Sequence, residues 1–102
     1  LVALEPSESP VMSGGEPGLH GIQGIGDGSK FLVNLEEIDR IERVSTLEAI
    51  EKSKSLAKEW GLFVGFSAAA NYLVAERLIK EGYSTNVITI LCDRGERYFS
   101  CL

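Results

Sequence analysis

The chain has 102 residues, of which 44 % are hydrophobic and 25 % charged; this is ordinary for a small soluble globular domain, or a piece of a larger one, and argues against disorder, collagen-like repeats and a disulfide scaffold. Fifteen acidic residues against ten basic ones give a net charge of −5, a balance that repels phosphate backbones and speaks against a nucleic-acid partner. No apolar run approaches the roughly 20 residues that span a bilayer, and no basic leader precedes an apolar stretch, so the expectation is a cytoplasmic protein without a membrane partner.

The first element is Leu1-Val2-Ala3-Leu4, read as a short buried strand that ends at Glu5-Pro6. Because the chain opens directly inside this apolar run, it is expected to be a segment of a longer polypeptide. Residues 6–30 read as a loop with seven glycines and all three prolines, Pro6, Pro10 and Pro17. A loop of that length is functional or disordered, and Ile22 and Ile25 among the glycines favour an ordered, partly buried one.

Residues 38–44 fit either period, but β-branched content and the cap that follows favour a strand. Ser45-Thr46-Leu47-Glu48 reads as a capping box opening a helix to about Trp60. Its apolar residues Leu47, Ile50, Ala57 and Trp60 are expected to share one buried side, with Gly61 closing the helix. Residues 62–66 read as a third strand, Ser67 as the cap of a second helix running from Ala68 to about Glu81, and residues 86–92 as the most deeply buried strand. The alternation predicts α/β layering with parallel pairing.

Several residues invite chemistry. The stretch Gly21-Ile-Gln-Gly24-Ile-Gly26-Asp27-Gly28 is neither a Walker A loop nor a dinucleotide fingerprint, since GxGxxG fails at Ser29. Its glycines form either a tight structural turn or a backbone that a ligand can approach closely. Asp27 within it is either a general base or an Asx-turn residue. Ser67 is either a helix cap or a hydroxyl at the carboxyl edge of the sheet, where α/β proteins bind ligands. His20, the sole histidine, reads as a hydrogen-bonding loop residue, since no nucleophile elbow accompanies it. Cys92 and Cys101 lie nine apart, unlike a metal-binding pair, and read as free, packed thiols in a reducing compartment. The Arg94/Glu96/Arg97 run reads as a charged surface turn.

Five stretches together carry a resemblance: Glu5-Pro6 with Ser9-Pro10-Val11-Met12-Ser13-Gly14-Gly15, then Pro17-Gly18-Leu19-His20, Ile22-Gln23-Gly24-Ile25-Gly26, Val64-Gly65-Phe66-Ser67 and Asp93-Arg94-Gly95-Glu96-Arg97-Tyr98. In this order and spacing they resemble the C-terminal part of the cysteine synthase family, which are pyridoxal-phosphate enzymes of fold type II. The resemblance covers nearly the whole chain. It implies that residues 1–102 are the C-terminal segment of a catalytic α/β domain with a parallel, three-layer sheet architecture. It implies a homodimeric parent that acts on a small amino acid, cysteine or O-acetylserine. Ser67 matches the serine whose hydroxyl faces the pyridine nitrogen of pyridoxal phosphate. Gly26 matches the loop bordering the cofactor and substrate.

The family's Schiff-base lysine, its Thr-Ser-Gly-Asn loop and its Gly-Thr-Gly-Gly-Thr phosphate cup have no match in this sequence, so the segment alone is expected to be inactive. Four positions depart from the family pattern: Asp27 replaces a small residue, Ala68-Ala69 replace Ser-Gly, Cys92 replaces proline, and Arg94 replaces a small polar residue. Asp27 beside an aminoacrylate β-carbon would activate water, which needs a base where sulfide does not. That implies the cysteine-degrading branch, which yields L-serine and hydrogen sulfide. The other expectations are a cysteine synthase that uses O-acetylserine and sulfide, or a non-catalytic binding module built on the same fold.

Overall fold

The computed structural model describes residues 1–26 and 33–101, the side chains of Phe99 and Cys101 excepted. Two strands, β1 (Val2–Pro6) and β2 (Arg40–Val44), pair in parallel with Val2 opposite Arg40 and Pro6 opposite Val44. Two helices follow, α1 (Thr46–Trp60) and α2 (Phe66–Lys80). The α/β class and the parallel pairing expected from the sequence are therefore present. The first strand extends two residues beyond its predicted end. Pro6 brings no N–H to the ladder, and the Ser7 amide makes the next bond, to the Val44 carbonyl at 2.9 Å.

Both strands run the same way, so Pro6 and Val44 end on one edge, and the chain leaves both strands there toward the candidate site. The Glu5 carboxylate, only 1 % exposed, organises the turn after β1. It accepts the Met12 amide at 2.7 Å, the Ser13 amide at 3.1 Å and the Ser13 hydroxyl. These bonds replace the water that a buried carboxylate gives up.

Helix α1 starts as its sequence predicts. Ser45 accepts the Glu48 amide and Glu48 accepts the Ser45 amide, both at 3.1 Å, and Gly61 closes the helix in the left-handed region. Its buried face matches the predicted one only in part: Ile50 packs against the core and Ala57 is half-buried. Ala49, Ser53 and Leu56 are buried, while Leu47 and Trp60 are 64 % and 69 % exposed. Small residues win that face because α1 packs against α2 near the fully buried run Ala68-Ala69-Ala70. Ser53 is tolerated there because its hydroxyl donates to the Val64 carbonyl at 2.9 Å.

Three further expectations are corrected. Residues 62–66 form no strand; Val64 makes only an isolated antiparallel bridge with Arg94. The second helix begins at Phe66 with Gly65 as its cap, so Ser67 lies inside the first turn and caps nothing. Residues 86–92, predicted as the most buried strand, pair with no strand among the described residues, and Ile88 and Ile90 are 98 % and 69 % exposed. A strand needs a neighbour for its backbone groups, and β-propensity alone supplies none. The main core lies between β1, β2 and the helices, with Ile22, Val44, Ala49, Ala70, Val74 and Leu78 buried in it.

Replacing Ser45 with alanine removes one half of the capping box and should lower stability by about 1 kcal/mol. Denaturant unfolding of the parent and of Ser45→Ala checks this; an unchanged midpoint would show that tertiary packing alone holds the start of α1.

Candidate functional site

The edge at Pro6 and Val44 is where the glycine loop meets the starts of both helices. The loop is fixed to α1 by its backbone: the Gly21 amide donates to the Thr46 hydroxyl at 2.8 Å. Glu8 accepts the Thr46 amide at 2.9 Å and so occupies the first-turn donors of α1. Burial by itself would raise the Glu8 pKa; hydrogen bonds from the Thr46 amide, from its own amide and from the Thr46 hydroxyl outweigh it and hold Glu8 below the usual carboxylate value. Ile22, fully buried, plugs the loop into the core, and Ile25 packs beside it. The described part of the loop, residues 6–26, is thus partly buried, as its two isoleucines predict.

His20 does what its sequence context implies. Its Nδ1 accepts the Ile22 amide at 3.1 Å, so the proton lies on Nε2, which donates to the Gly26 carbonyl at 2.8 Å. The imidazole closes the loop on itself. Gly26 has a φ of +60°, and a Cβ there would stand 2.5 Å from Pro6 Cδ. Both the backbone conformation and the close approach therefore demand glycine. Asp27 and Gly28, the next residues in the chain, lie outside the described residues.

Across from the loop, Ser67 sits in the first turn of α2 and is 4 % exposed. Gly24, with a φ of +97°, brings backbone close to it: a Cβ at Gly24 would stand 3.9 Å from Ser67 Oγ. The structure thus places Ser67 beside the Gly24–Gly26 loop, at the carboxyl edge of the parallel pair. The hydroxyl lies 3.2 Å from Cys92 Sγ. Cys92 is exposed rather than packed, against its sequence reading as a packed thiol; among the described residues the segment that carries it has no strand partner to cover it.

Asp93 closes the other side of the α2 start, and the sequence reading assigned it no separate role. Its backbone carbonyl accepts the Gly65 amide at 3.1 Å, and its Oδ2 accepts the Tyr98 hydroxyl at 2.5 Å. Its Oδ1 is buried without a hydrogen-bond partner among the described residues and lies where a Cβ on Gly65 would be, 2.1 Å away. The signal that could have found this pair is a tyrosine five residues after an acid, within reach across a tight turn. Tyr98 also stacks on Phe66, with ring centroids 4.7 Å apart. Arg94 and Glu96 form the expected exposed pair, 3.6 Å apart. No group of metal-ligating side chains occurs among the described residues, and no described helix is long and apolar enough to cross a membrane.

The pyridoxal-phosphate ring implied by the resemblance can be tested against these residues. A buried hydroxyl in a helix's first turn, faced by a glycine backbone with no side chain in the way, suits the polar edge of a flat heteroaromatic ring. Ser67 would meet the ring nitrogen, and Gly24 and Gly26 would border it.

Tyr98 offers a pH-dependent readout of this corner. The Asp93 hydrogen bond, followed by burial, pushes its pKa from 10.0 up to about 12. A raised pKa means that the bond contributes stability in full below pH 10 and loses it as the pH rises through about 12. The difference between ultraviolet titrations of the protein and of Tyr98→Phe should show this one tyrosinate forming about two units late; formation near pH 10 would show that the bond is absent in solution.

No protein-family model matches the sequence. Known relatives do. The chain is 44 % identical to a cysteine synthase of Staphylococcus aureus over 98 % of its own length and 33 % of that protein's. It superposes on a solved cysteine synthase (OASS) of Entamoeba histolytica with a TM-score of 0.93 at 32 % identity, covering 98 % of the chain and 30 % of that structure. It superposes on a hydrogen sulfide-producing enzyme of Fusobacterium nucleatum with a TM-score of 0.85 at 33 % identity, covering 97 % and 30 %. The chain spans about a third of the length of these relatives. Over that span the shared sequence, the shared backbone and the ordered glycine loop agree: the chain belongs to the cysteine synthase family and has the fold of its fold type II enzymes.

Proposed function

We propose that this chain is the C-terminal segment of the catalytic domain of a pyridoxal-phosphate enzyme that converts L-cysteine and water to L-serine and hydrogen sulfide. The observation that carries the cofactor part of this reading is Ser67: a buried hydroxyl beside the Gly24–Gly26 backbone, in a chain 44 % identical to a cysteine synthase. Pyridoxal phosphate, when bound, supplies the electron sink that labilises the bonds at Cα and so releases the β-substituent. Ser67 donates a hydrogen bond to its ring nitrogen without transferring a proton, which keeps the sink moderate and favours β-chemistry over transamination. Gly24 and Gly26 admit the ring and substrate, and His20 fixes the Gly26 carbonyl at the loop's edge.

Asp27 follows Gly26 directly in sequence. In this reading its carboxylate takes a proton from water as the water oxygen bonds to the substrate's β-carbon. The carbon–sulfur bond has already broken, with sulfur leaving as sulfide and the proton at Cα lost; a proton returns to Cα as the oxygen bonds, so that L-cysteine and water give L-serine and hydrogen sulfide. Water, with a pKa of about 15.7, needs this base; sulfide does not. Likeness to the hydrogen sulfide-producing enzyme of Fusobacterium nucleatum supports this direction. A second reading, cysteine formation from O-acetylserine and sulfide, is favoured by the identity with the Staphylococcus aureus enzyme and requires no role for Asp27. In either reading the family resemblance points to a homodimeric parent.

In the full-length polypeptide that carries this chain, loaded with pyridoxal phosphate, Asp27→Asn should cut serine production from cysteine by about 10²–10⁴-fold, the usual contribution of a positioned base. Addition of sulfide or another thiol should survive, because those nucleophiles need no base. Serine output within about twofold of the parent would make Asp27 a turn residue and favour the synthase reading.

A further inference from the structure

We propose that Cys92 is a positioning residue that fixes the direction of the Ser67 hydroxyl. This inference rests on the reading of Ser67 as the residue that faces the cofactor ring. Three side chains lie in line. Asn71 is one helical turn beyond Ser67, on the same face of α2, and both reach residues 90–92. The Asn71 side-chain nitrogen donates to the Ile90 carbonyl at 2.9 Å, which fixes its amide with NH₂ toward that segment. The same nitrogen lies 3.9 Å from Cys92 Sγ, within reach of a sulfur acceptor. Sγ in turn lies 3.2 Å from Ser67 Oγ.

A thiol sulfur that accepts from Asn71 has its own hydrogen available for Ser67 Oγ. Ser67 has no other polar partner among the described residues, and it makes no side-chain capping bond. Its oxygen is then an acceptor from Cys92, and its O–H is left as the terminal donor of the series Asn71, Cys92, Ser67. A hydroxyl without this neighbour could rotate to donate elsewhere. One held by Cys92 is aimed before the ring arrives, and such hydrogen bonds in series polarise one another. Cys92 acts through Ser67 alone and takes no part in bond making.

Two readouts on the full-length polypeptide test the proposal. The first needs no cofactor: the infrared S–H stretching band of Cys92, isolated as the difference between the parent and Cys92→Ala. It should lie at the lowered frequency of a donating thiol and move up in Ser67→Ala. The second is the visible absorption of bound pyridoxal phosphate. Cys92→Ala should shift it in the same direction as Ser67→Ala does, Cys92→Ser should restore the parent spectrum, and Cys92→Ala added to Ser67→Ala should cause no further shift. A Cys92 S–H band indifferent to Ser67→Ala overturns the proposal. So does a spectrum that moves in Ser67→Ala but not in Cys92→Ala, which leaves the reading of Ser67 intact. If Ser67→Ala itself moves no absorption, the reading of Ser67 falls, and the role of Cys92 toward the ring falls with it.

Discussion

The parallel pairing of β1 with β2 is the constraint on which the rest depends. Parallel strands must be joined by a long connection, and here it returns without an intervening α-helix among the described residues. That connection must therefore find its order elsewhere. It finds it in anchors at the carboxyl edge: buried Glu5 accepting the amides of the first turn, Ile22 in the core, and, nearer the surface, the Thr46 hydroxyl and amide held by Gly21 and Glu8. The polar anchors each satisfy a backbone donor. Because the two strands end side by side, the anchored loop is delivered to the same edge as the start of α1.

Three functional features then arise from one placement. The His20 bond to the Gly26 carbonyl shapes the loop tip, Pro6 and Gly26 leave no space for a side chain, and Gly24 passes Ser67 without one. Burial of the alanine run after Ser67 fixes α2 against α1, so the Ser67 hydroxyl is held by the core rather than by a cap. On the other side, Asp93 and Tyr98 fasten the chain's last turn to the amide of Gly65 at the start of α2. The precision of such a site comes from its supports, and these lie on helices and on a loop anchored to strands.

Much of this was legible in the sequence where the signal was local. The capping box at Ser45 and Glu48, the glycine that ends α1, the two isoleucines that order the loop and the hydrogen-bonding role of His20 all depend on neighbours a few residues away. What failed depended on distant partners. Residues 86–92 have the composition of a buried strand, yet strand formation is decided by a neighbour that composition cannot specify. Ser67 follows an apolar run in the manner of a cap, but Gly65 takes the cap position and draws Ser67 into the helix. The face of α1 was misread in part because periodicity was judged on its large apolar residues, whereas close packing selected Ala49 and Ser53. The contact between Ser67 and Cys92, 25 residues apart, carries no sequence signal at all. The family resemblance groups Ser67 with the glycine loop, and the Gly24 backbone does pass close to Ser67; such motifs encode tertiary neighbourhoods that local rules do not.

On the proposed reading, the full-length polypeptide that carries this chain directs water, rather than sulfide, to the β-carbon. The most direct measurement is to incubate the full-length polypeptide, loaded with pyridoxal phosphate, with L-cysteine in ¹⁸O-enriched water and to analyse the products by mass spectrometry. The account predicts L-serine with one ¹⁸O in its side-chain hydroxyl, formed in step with sulfide. Release of pyruvate and ammonia without labelled serine, or turnover only when O-acetylserine and sulfide are supplied, would contradict it.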